Sequence, residues 1–540
     1  MATQTDEDEY KLGRDNVQIF GLDIHNPVFM ISGVTIVAFV IAILMFQQQS
    51  AEFFGWLRPA ITQTFDWFFL SAGNLFVLFA LLLIFLPVGK VRLGGQDARP
   101  DYGYIGWFAM LFAAGMGIGL MFFGVSEPMS HFGSSLGGTT VENSVRTDWA
   151  PLAGAAGDAV AARELAMAAT IYHWGLHPWS IYAVVGLSLA FFSFNYKLPL
   201  TLRSAFYPLL GEKVWGWPGH TIDILAVFAT LFGLATSLGF GTTQALAGFN
   251  FLYGWGTGQV AIVVLIGVIT LIALVSVIRG LDGGVKILSE INMGLALLLL
   301  TVIIVVGPTA DIFTAIVAGG VGYVKQLVPL SIPFGREDAN FSQGWTSFYW
   351  AWWISWSPFV GMFIARVSRG RTVREFVACV ILVPTALCIV WMGAFGGTAI
   401  SQVITDAAAP VASAAQELKL FEMTKDFPLS AILSLVGIVL VLVFFVTSSD
   451  SGSLVIDTIT AGGKVDAPLA QRIFWCSFEG VVAATLLLVG GAEALGALQA
   501  MTVSTGLPFT LVLLVMCWSL WVGLHKTRKE DVQAQSANAG

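Results

Sequence analysis

Apolar residues recur along the chain in long blocks separated by short polar segments. Twelve of these blocks hold about 20 predominantly apolar residues, the length that a helix needs to cross a hydrocarbon core about 30 Å thick. Backbone groups in lipid must be hydrogen-bonded within the chain, so the blocks predict an all-α polytopic membrane protein with twelve transmembrane helices. Their centres lie near Ala38, Phe76, Met116, Tyr182, Phe232, Ile269, Leu299, Ile354, Ile389, Val439, Ala483 and Leu511.

The basic residues orient these helices, because Lys and Arg near span ends are retained on the cytoplasmic side. With the amino terminus inside, 19 of the 26 Lys and Arg residues fall in the tails and the cytoplasmic loops. Both termini are therefore predicted to be cytoplasmic. The predicted segments are a cytoplasmic tail (1–27), two helices (28–100), a group of five helices (101–310), an outer surface segment (311–343), a second group of five (344–524) and a short cytoplasmic tail (525–540).

Composition and charge narrow the class of protein. Only 11% of the residues are charged, against about 25% in soluble domains. The net charge of -8 offers no basic face for phosphates, so no nucleic-acid partner is expected. HExxH is not found, and the glycine run of the third block follows no predicted strand. The sequence therefore predicts neither an enzyme nor an organic cofactor.

Glycines interrupt the third block at Gly115, Gly117 and Gly119. Each weakens a helix by about 1 kcal/mol relative to Ala, and an unwound segment would offer carbonyl oxygens to a cation. A close-packing face of small residues is the alternative. Pro358 is expected to interrupt the eighth block, five spans later. Paired interrupted helices in two halves of a chain indicate a midplane binding site.

Aromatic residues are concentrated in the eighth block, which has five tryptophans in the twelve residues 345–356. Twelve helical residues rise about 18 Å, so several rings must lie deep in the membrane. Positions 349, 353 and 356 share one helical face. The fourth block supplies a second set, Trp174, Trp179 and Tyr182. Aromatic faces attract quaternary ammonium and sulfonium groups, so the two sets together favour an onium site, whereas either set alone would favour core packing.

The tenth block ends in hydroxyl side chains, among them Thr447 and Ser448. Hard cations prefer oxygen ligands, so these hydroxyls and carbonyls of the broken third span predict a Na⁺ site. Hydrogen bonding of the hydroxyls back to their own helix is the alternative.

Other polar residues in the apolar blocks are interpreted as structural. His173 and His177 stand one helical turn apart and are expected to pack or to hydrogen-bond between helices rather than to bind a metal. Glu479 is interpreted as a hydrogen-bonded residue near a helix end. The central portions of the third, fourth, fifth and eighth spans carry no carboxylate, which argues against a proton-coupled carrier.

Three motifs together resemble the betaine/choline/carnitine transporter family: the segment from Gly115 to Pro128, the pair His173-Trp174 with His177-Pro178-Trp179, and the segment from Trp350 to Arg374. The resemblance runs over essentially all twelve spans. It implies a leucine-transporter-like fold of two inverted five-helix repeats after two extra helices. It also implies a homotrimer in the bacterial inner membrane, in which residues 311–343 are periplasmic.

The resemblance also implies roles for particular residues. An aromatic box for the onium head group would be formed by Trp174, Trp179, Tyr182 and Trp353, with Trp356, Gly115 and Met116 also at the substrate. One Na⁺ would be held by the carbonyls of Ala113, Met116 and Phe444 and the hydroxyls of Thr447 and Ser448. A second Na⁺ would use Thr230 and Phe359, but Leu234 stands where that site has its second threonine.

The sequence thus favours a secondary transporter that imports an onium solute, glycine betaine or a relative such as dimethylsulfoniopropionate, together with Na⁺ and across the lipid bilayer. The alternatives on the same fold are a Na⁺-independent exchanger and a proton-coupled choline or carnitine transporter. A channel is disfavoured, because aromatic rings stand where a polar pore lining would be expected.

Overall fold

The computed structural model of the chain describes residues 12–115, 117–279, 285–490 and 494–539. These ranges are mostly helical. The helices are α1 (Val28–Met45), α2 (Gln47–Phe85), α3 (Tyr104–Gly115), α4 (Ile118–Gly137), α5 (Ala159–Trp174), α6 (Leu176–Tyr196), α7 (Tyr207–Leu210), α8 (Trp217–Tyr253), α9 (Gln259–Arg279), α10 (Val285–Val306), α11 (Thr309–Ser331), α12 (Ala339–Phe341), α13 (Ser347–Arg366), α14 (Val373–Thr405), α15 (Pro410–Ser413), α16 (Lys419–Thr424), α17 (Ser430–Thr460), α18 (Leu469–Gly490) and α19 (Ala494–Ala539).

Four short strands, which the helical pattern did not predict, form two antiparallel hairpins, β1 (Asn16–Ile19) with β2 (Leu22–His25) and β3 (Val141–Glu142) with β4 (Val145–Arg146). The first hairpin lies in the amino-terminal tail and packs on the connection between α17 and α18. There, Asn16 Nδ2 donates to the Ala461 carbonyl at 2.9 Å, and Lys464 Nζ pairs with Asp23 Oδ2 at 2.5 Å.

Within the described ranges, eleven helical segments are long and apolar enough to cross a membrane, counting α5 and α6 as one. Ten of them coincide with predicted spans. The predicted third span is divided between α3 and α4, and the predicted eighth span, α13, carries Trp, Tyr and Ser in place of aliphatic residues. The eleventh segment is α11, which falls in the region predicted to be an outer surface segment. The count of twelve spans and the inverted repeat stay predictions.

The helices divide into central and peripheral ones. In the apolar windows, 94% of the α5–α6 residues and 83% of the α8 residues are buried by protein, against 28% for α9 and 22% for α10. A helix that is apolar or buried all round belongs in the middle of a bundle. Helix α13 is of this kind, since nearly all of its side chains from Ser347 to Ala365 are buried, and it packs on α6, α8 and α19.

Of the two helix interruptions predicted from the sequence, the structure has one. Helix α3 ends at Gly115 and α4 begins at Ile118, with Gly117 extended at φ -153° and ψ -164°, so the break predicted in the third span is confirmed. The break predicted at Pro358 is wrong, because α13 continues through it. Proline frees the carbonyl four residues earlier, that of Ile354, and this carbonyl accepts a hydrogen bond from Ser357 Oγ at 2.7 Å.

Candidate functional site

The aromatic site is built on α13, which follows a single π-helical turn, Ser342–Thr346. Tyr349 and Trp353, one turn apart, stack with ring centroids 5.7 Å apart and planes inclined by 28°. Trp353 also donates its indole N–H to the carbonyl of His173 at 2.9 Å, which fixes the ring against α5. A π-turn at the start of a helix is frequently found at functional sites, because it re-aims the side chains that follow.

The second set of rings comes from α5 and α6, which meet at Gly175. Trp174 ends α5 and meets Trp353 edge to face, with centroids 4.9 Å apart. Tyr182 meets Trp353 at 6.2 Å and Trp179 at 5.4 Å, both edge to face. The four residues predicted as an aromatic box therefore form one cluster, which we call the aromatic cage, although they come from three helices.

The cage rings are slightly more exposed than the aromatic rings that pack around them. Trp174, Trp179, Tyr182 and Trp353 keep 3–6% of their surface accessible, whereas Tyr349, Trp350 and Trp352 keep 0–1%. The difference is small, but it falls on the side chains predicted to face a ligand and not on the others.

Glycines of the broken third span lie close to the cage and to Trp356. A Cβ atom at Gly119 would lie 2.8 Å from the Trp174 ring and 3.1 Å from the Trp352 ring, so this position requires glycine. A Cβ at Gly117 would lie 3.7 Å from the far edge of Trp356, whose indole N–H donates to the Gly233 carbonyl of α8 at 2.9 Å. Both interpretations of the glycines apply, since the segment is a helix break and Gly119 is also a close-packing position.

A buried carboxylate that the sequence analysis named only within a motif lies behind the cage. Glu127 is fully buried, and its Oε2 accepts hydrogen bonds from the Trp174 indole at 2.7 Å and from the Tyr349 hydroxyl. Its Oε1 faces His173 Nδ1 at 2.6 Å and His131 Nε2 at 3.2 Å. Glu127 lies in the middle of α4, eleven residues beyond Met116, the predicted centre of the third span, so the expectation about the central portions of the spans did not cover it. An acidic residue inside an apolar block was the available signal, because such residues are rare unless they are functional.

The histidines are engaged between helices, as predicted. His173 Nε2 lies 2.9 Å from Thr346 Oγ1, and His177 Nε2 lies 3.0 Å from Asn74 Oδ1 of α2. One ligand atom each of Glu127, His131 and His173 lies within 4.8 Å of the others, a spacing compatible with a metal ion. Each of those atoms already has a hydrogen-bond partner within the group, so the observed arrangement is a hydrogen-bond network.

Of the two α17 side chains predicted to bind Na⁺, Thr447 hydrogen-bonds to its own helix. Thr447 Oγ1 donates to the carbonyls of Val443 at 3.0 Å and Phe444 at 3.3 Å, which is the back-bonding alternative. Ser448 is buried. Ala113 and Gly115 lie in α3, and Met116 lies outside the described residues. The Na⁺ ligand set therefore stays a prediction.

The residues of the predicted second Na⁺ site are likewise held locally. Thr230 Oγ1 donates to the Ala226 carbonyl at 2.7 Å, and Leu234 is fully buried with its side chain against Gly452. Phe359 packs edge to face on Trp356 at 5.4 Å. The apolar Leu234 separates Thr230 from the hydroxyls further along α8.

Glu479 lies in the middle of α18 and not near a helix end, which corrects the sequence interpretation. Its Oε2 accepts a hydrogen bond from Ser449 of α17 at 2.8 Å, so its predicted hydrogen-bonded state is confirmed. Helix α18 runs unbroken from Leu469 through Glu479 to Gly490.

The sequence profile of the BCCT, betaine/carnitine/choline family of transporters matches residues 27–529. A glycine betaine/proline/choline transporter of Vibrio parahaemolyticus is 64% identical over 520 residues, which are 96% of this chain and 94% of that protein. Glycine betaine transporter 1 of the same organism is 54% identical, with 97% and 98% covered. A glycine betaine transporter of Acinetobacter baylyi is 40% identical, with 94% and 75% covered.

The apolar helices and these relatives define the class: a multi-pass membrane transporter, and not an enzyme. The chain belongs to the betaine/carnitine/choline family of transporters, as its motifs indicated.

Proposed function

We propose that this protein imports a quaternary-ammonium or sulfonium solute, glycine betaine or a relative such as dimethylsulfoniopropionate, by symport with Na⁺. The observation that carries the proposal is the aromatic cage of Trp174, Trp179, Tyr182 and Trp353, with ring centroids 4.9–6.2 Å apart. Methylated onium groups are recognised by such cages, with about 2 kcal/mol or more per ring when the cation is desolvated. The names of the relatives agree, since three of them include glycine betaine.

The break between α3 and α4 supports Na⁺ coupling. An interrupted helix frees carbonyl oxygens, and hard cations prefer oxygen ligands. In the proposed site, Na⁺ is bound by the carbonyls of Ala113, Met116 and Phe444 and by the hydroxyls of Thr447 and Ser448. At Thr447, the hydroxyl oxygen would coordinate Na⁺ through a lone pair, and its proton can still be donated to its own helix.

Transport would follow alternating access, in which one group of helices moves against the other around a fixed site. The cage spans both groups, because α5 and α6 come from the first and α13 from the second. The protein would act in the inner membrane of a bacterium, with both termini in the cytoplasm, as a homotrimer. Cross-linking in membranes would test the trimer.

Uptake of radiolabelled glycine betaine into proteoliposomes that contain only this protein tests the proposal. An inward Na⁺ gradient should drive accumulation that a K⁺ gradient does not, and unlabelled choline, proline, carnitine and dimethylsulfoniopropionate should rank the substrates by competition. Accumulation that persists without Na⁺ but needs a counter-substrate would favour the exchanger. Accumulation driven by a pH gradient alone would favour proton coupling, and absence of uptake under all these conditions would refute onium transport.

A further inference from the structure

Two kinds of onium solute differ in net charge. Glycine betaine is a zwitterion, whose carboxylate offsets its ammonium group, whereas choline carries one net positive charge. The cage rings attract the methylated head group that both share. A cage alone therefore discriminates poorly between them, and a charged group nearby would add discrimination by net charge.

Glu127 is such a group. Its Oε2 accepts a hydrogen bond from the indole N–H of Trp174, itself a cage ring, at 2.7 Å. A cation bound within about 6 Å of that ring's centroid would lie roughly 10 Å from the carboxylate. Both Glu127 and Trp174 are buried in the bundle, where the interaction between charges is screened far less than in water.

The carboxylate keeps its charge without a basic partner. Four neutral groups, the Trp174 indole, the Tyr349 hydroxyl and one N–H each of His173 and His131, can donate to its two oxygens. His173 can accept at its other nitrogen from the Thr346 hydroxyl, 2.9 Å away. Hydrogen bonds to an ionised carboxylate are the strong ones, so the network both holds the anion and fixes the rings.

We propose that Glu127 is a specificity-determining residue, whose negative charge behind the aromatic cage raises the affinity for net-cationic onium substrates relative to zwitterionic ones. This inference rests on the proposed function and assigns a role in specificity to a residue behind the cage. The attraction acts in full on choline. In glycine betaine it is partly cancelled by repulsion of the substrate's own carboxylate.

The variant Glu127→Gln separates the effect of the carboxylate's charge from the effect of its hydrogen bonds to the cage and its neighbours. The amide oxygen can keep both bonds from Trp174 and Tyr349, while the amide NH₂ faces His131 and His173. Each of those imidazoles can accept a hydrogen bond in its other neutral tautomer. The variant thus retains the network and loses the charge. Tyr349→Phe is the converse, since it removes one hydrogen bond to Glu127 and keeps the charge.

The experiment compares half-saturation concentrations for choline and glycine betaine uptake in wild-type protein, Glu127→Gln and Tyr349→Phe, after each passes a size-exclusion and thermal-unfolding check. Glu127→Gln should weaken choline about tenfold more than glycine betaine, whereas Tyr349→Phe should weaken both alike. Glu164→Gln, which removes the carboxylate that pairs with Lys325 on the exposed side of α5, should leave the ratio unchanged.

Equal factors for both substrates in Glu127→Gln would overturn the inference, because Glu127 would then only position the rings. In that outcome the proposed function stands. Wild-type protein that takes up neither solute would instead refute the proposed function itself.

Discussion

The aromatic cage and the break between α3 and α4 adjoin each other but are held in different ways. In the cage, hydrogen bonds run between helices, from Trp353 of α13 to α5 and from Trp174 of α5 to α4. In contrast, Thr447 and Thr230, which are predicted to bind cations, donate to carbonyls of their own helices. The cage rings are thus held by bonds between helices, whereas Thr447 and Thr230 are held within their own helices.

This difference assigns distinct properties to the two regions. Rings that are held by hydrogen bonds between helices lose little conformational entropy on binding, so substitutions in the cage should change substrate affinity directly. Ligand side chains that have hydrogen-bond partners in their own helices can release and rebind the ion. A cation site that must empty on each transport cycle needs this property. Substitutions there should change the Na⁺ dependence more than substrate recognition.

The largest expected effect on glycine betaine affinity comes from a substitution in the cage. Trp353→Leu should raise the half-saturation concentration for glycine betaine about thirtyfold, because about 2 kcal/mol of cation–π attraction is lost. Competition uptake in proteoliposomes measures this. Trp352 is a weak control, since it stacks on Trp353 at 4.7 Å. Trp350→Leu is the matched control, because Trp350 stacks on His177 instead. An equal loss in the two variants would show that ring packing, and not the cage face, governs affinity.

A substitution in the break should have the next largest effect. Gly119→Ala brings a methyl group 2.8 Å from the Trp174 ring, so the ring must move and glycine betaine affinity should fall about tenfold. Gly133→Ala, on the same helix, is the control, because nothing lies within 4 Å of its added Cβ. Unchanged affinity in Gly119→Ala would mean that the Trp174 position is not critical.

A smaller effect is expected for Thr447→Ala. The half-saturation concentration for Na⁺ should rise several-fold, and the glycine betaine affinity at saturating Na⁺ should stay near that of the wild type, because one oxygen ligand is lost. Thr458→Ala is the control, since this buried threonine also back-bonds within α17. A wild-type Na⁺ dependence in Thr447→Ala would assign the hydroxyl to helix packing.

The smallest effect concerns the second cation site. Leu234→Thr adds a hydroxyl one turn after Thr230, and the Na⁺ dependence of uptake should become steeper if this completes a site. The Hill coefficient measures the change. A coefficient equal to that of the wild type would show that Leu234 is not what limits the number of Na⁺ ions.

The sequence indicated which rings cluster, because two strongly aromatic segments supply them and the family resemblance selects the same four residues. It predicted the break between Gly115 and Ile118 from glycine content. It misjudged Pro358, because the hydrogen bond from Ser357 that compensates for the proline is a local detail of side-chain geometry. Periodicity also did not separate α11 from a surface segment, since Asp311 and Lys325 interrupt its apolar residues.

The role of Glu127 could not be predicted from the chain alone. His131 is a local partner, four residues along α4. The other partners lie 46 residues away in His173, 47 in Trp174 and 222 in Tyr349, so only the packing of α4, α5 and α13 brings these three to Glu127. Glu479 is a parallel case, with its partner Ser449 on another helix. Buried carboxylates in a membrane bundle find partners across helices, and no local pattern encodes those partners.

The central claim is that the cage and the predicted Na⁺ site are energetically coupled. Titration of purified protein with glycine betaine, followed by tryptophan fluorescence in NaCl and in KCl at equal ionic strength, tests it most directly. Because linkage is reciprocal, Na⁺ that shares the site's conformation must tighten substrate binding. We expect a dissociation constant at least about tenfold lower in Na⁺. Equal dissociation constants in the two salts, or no binding in either, would contradict the account.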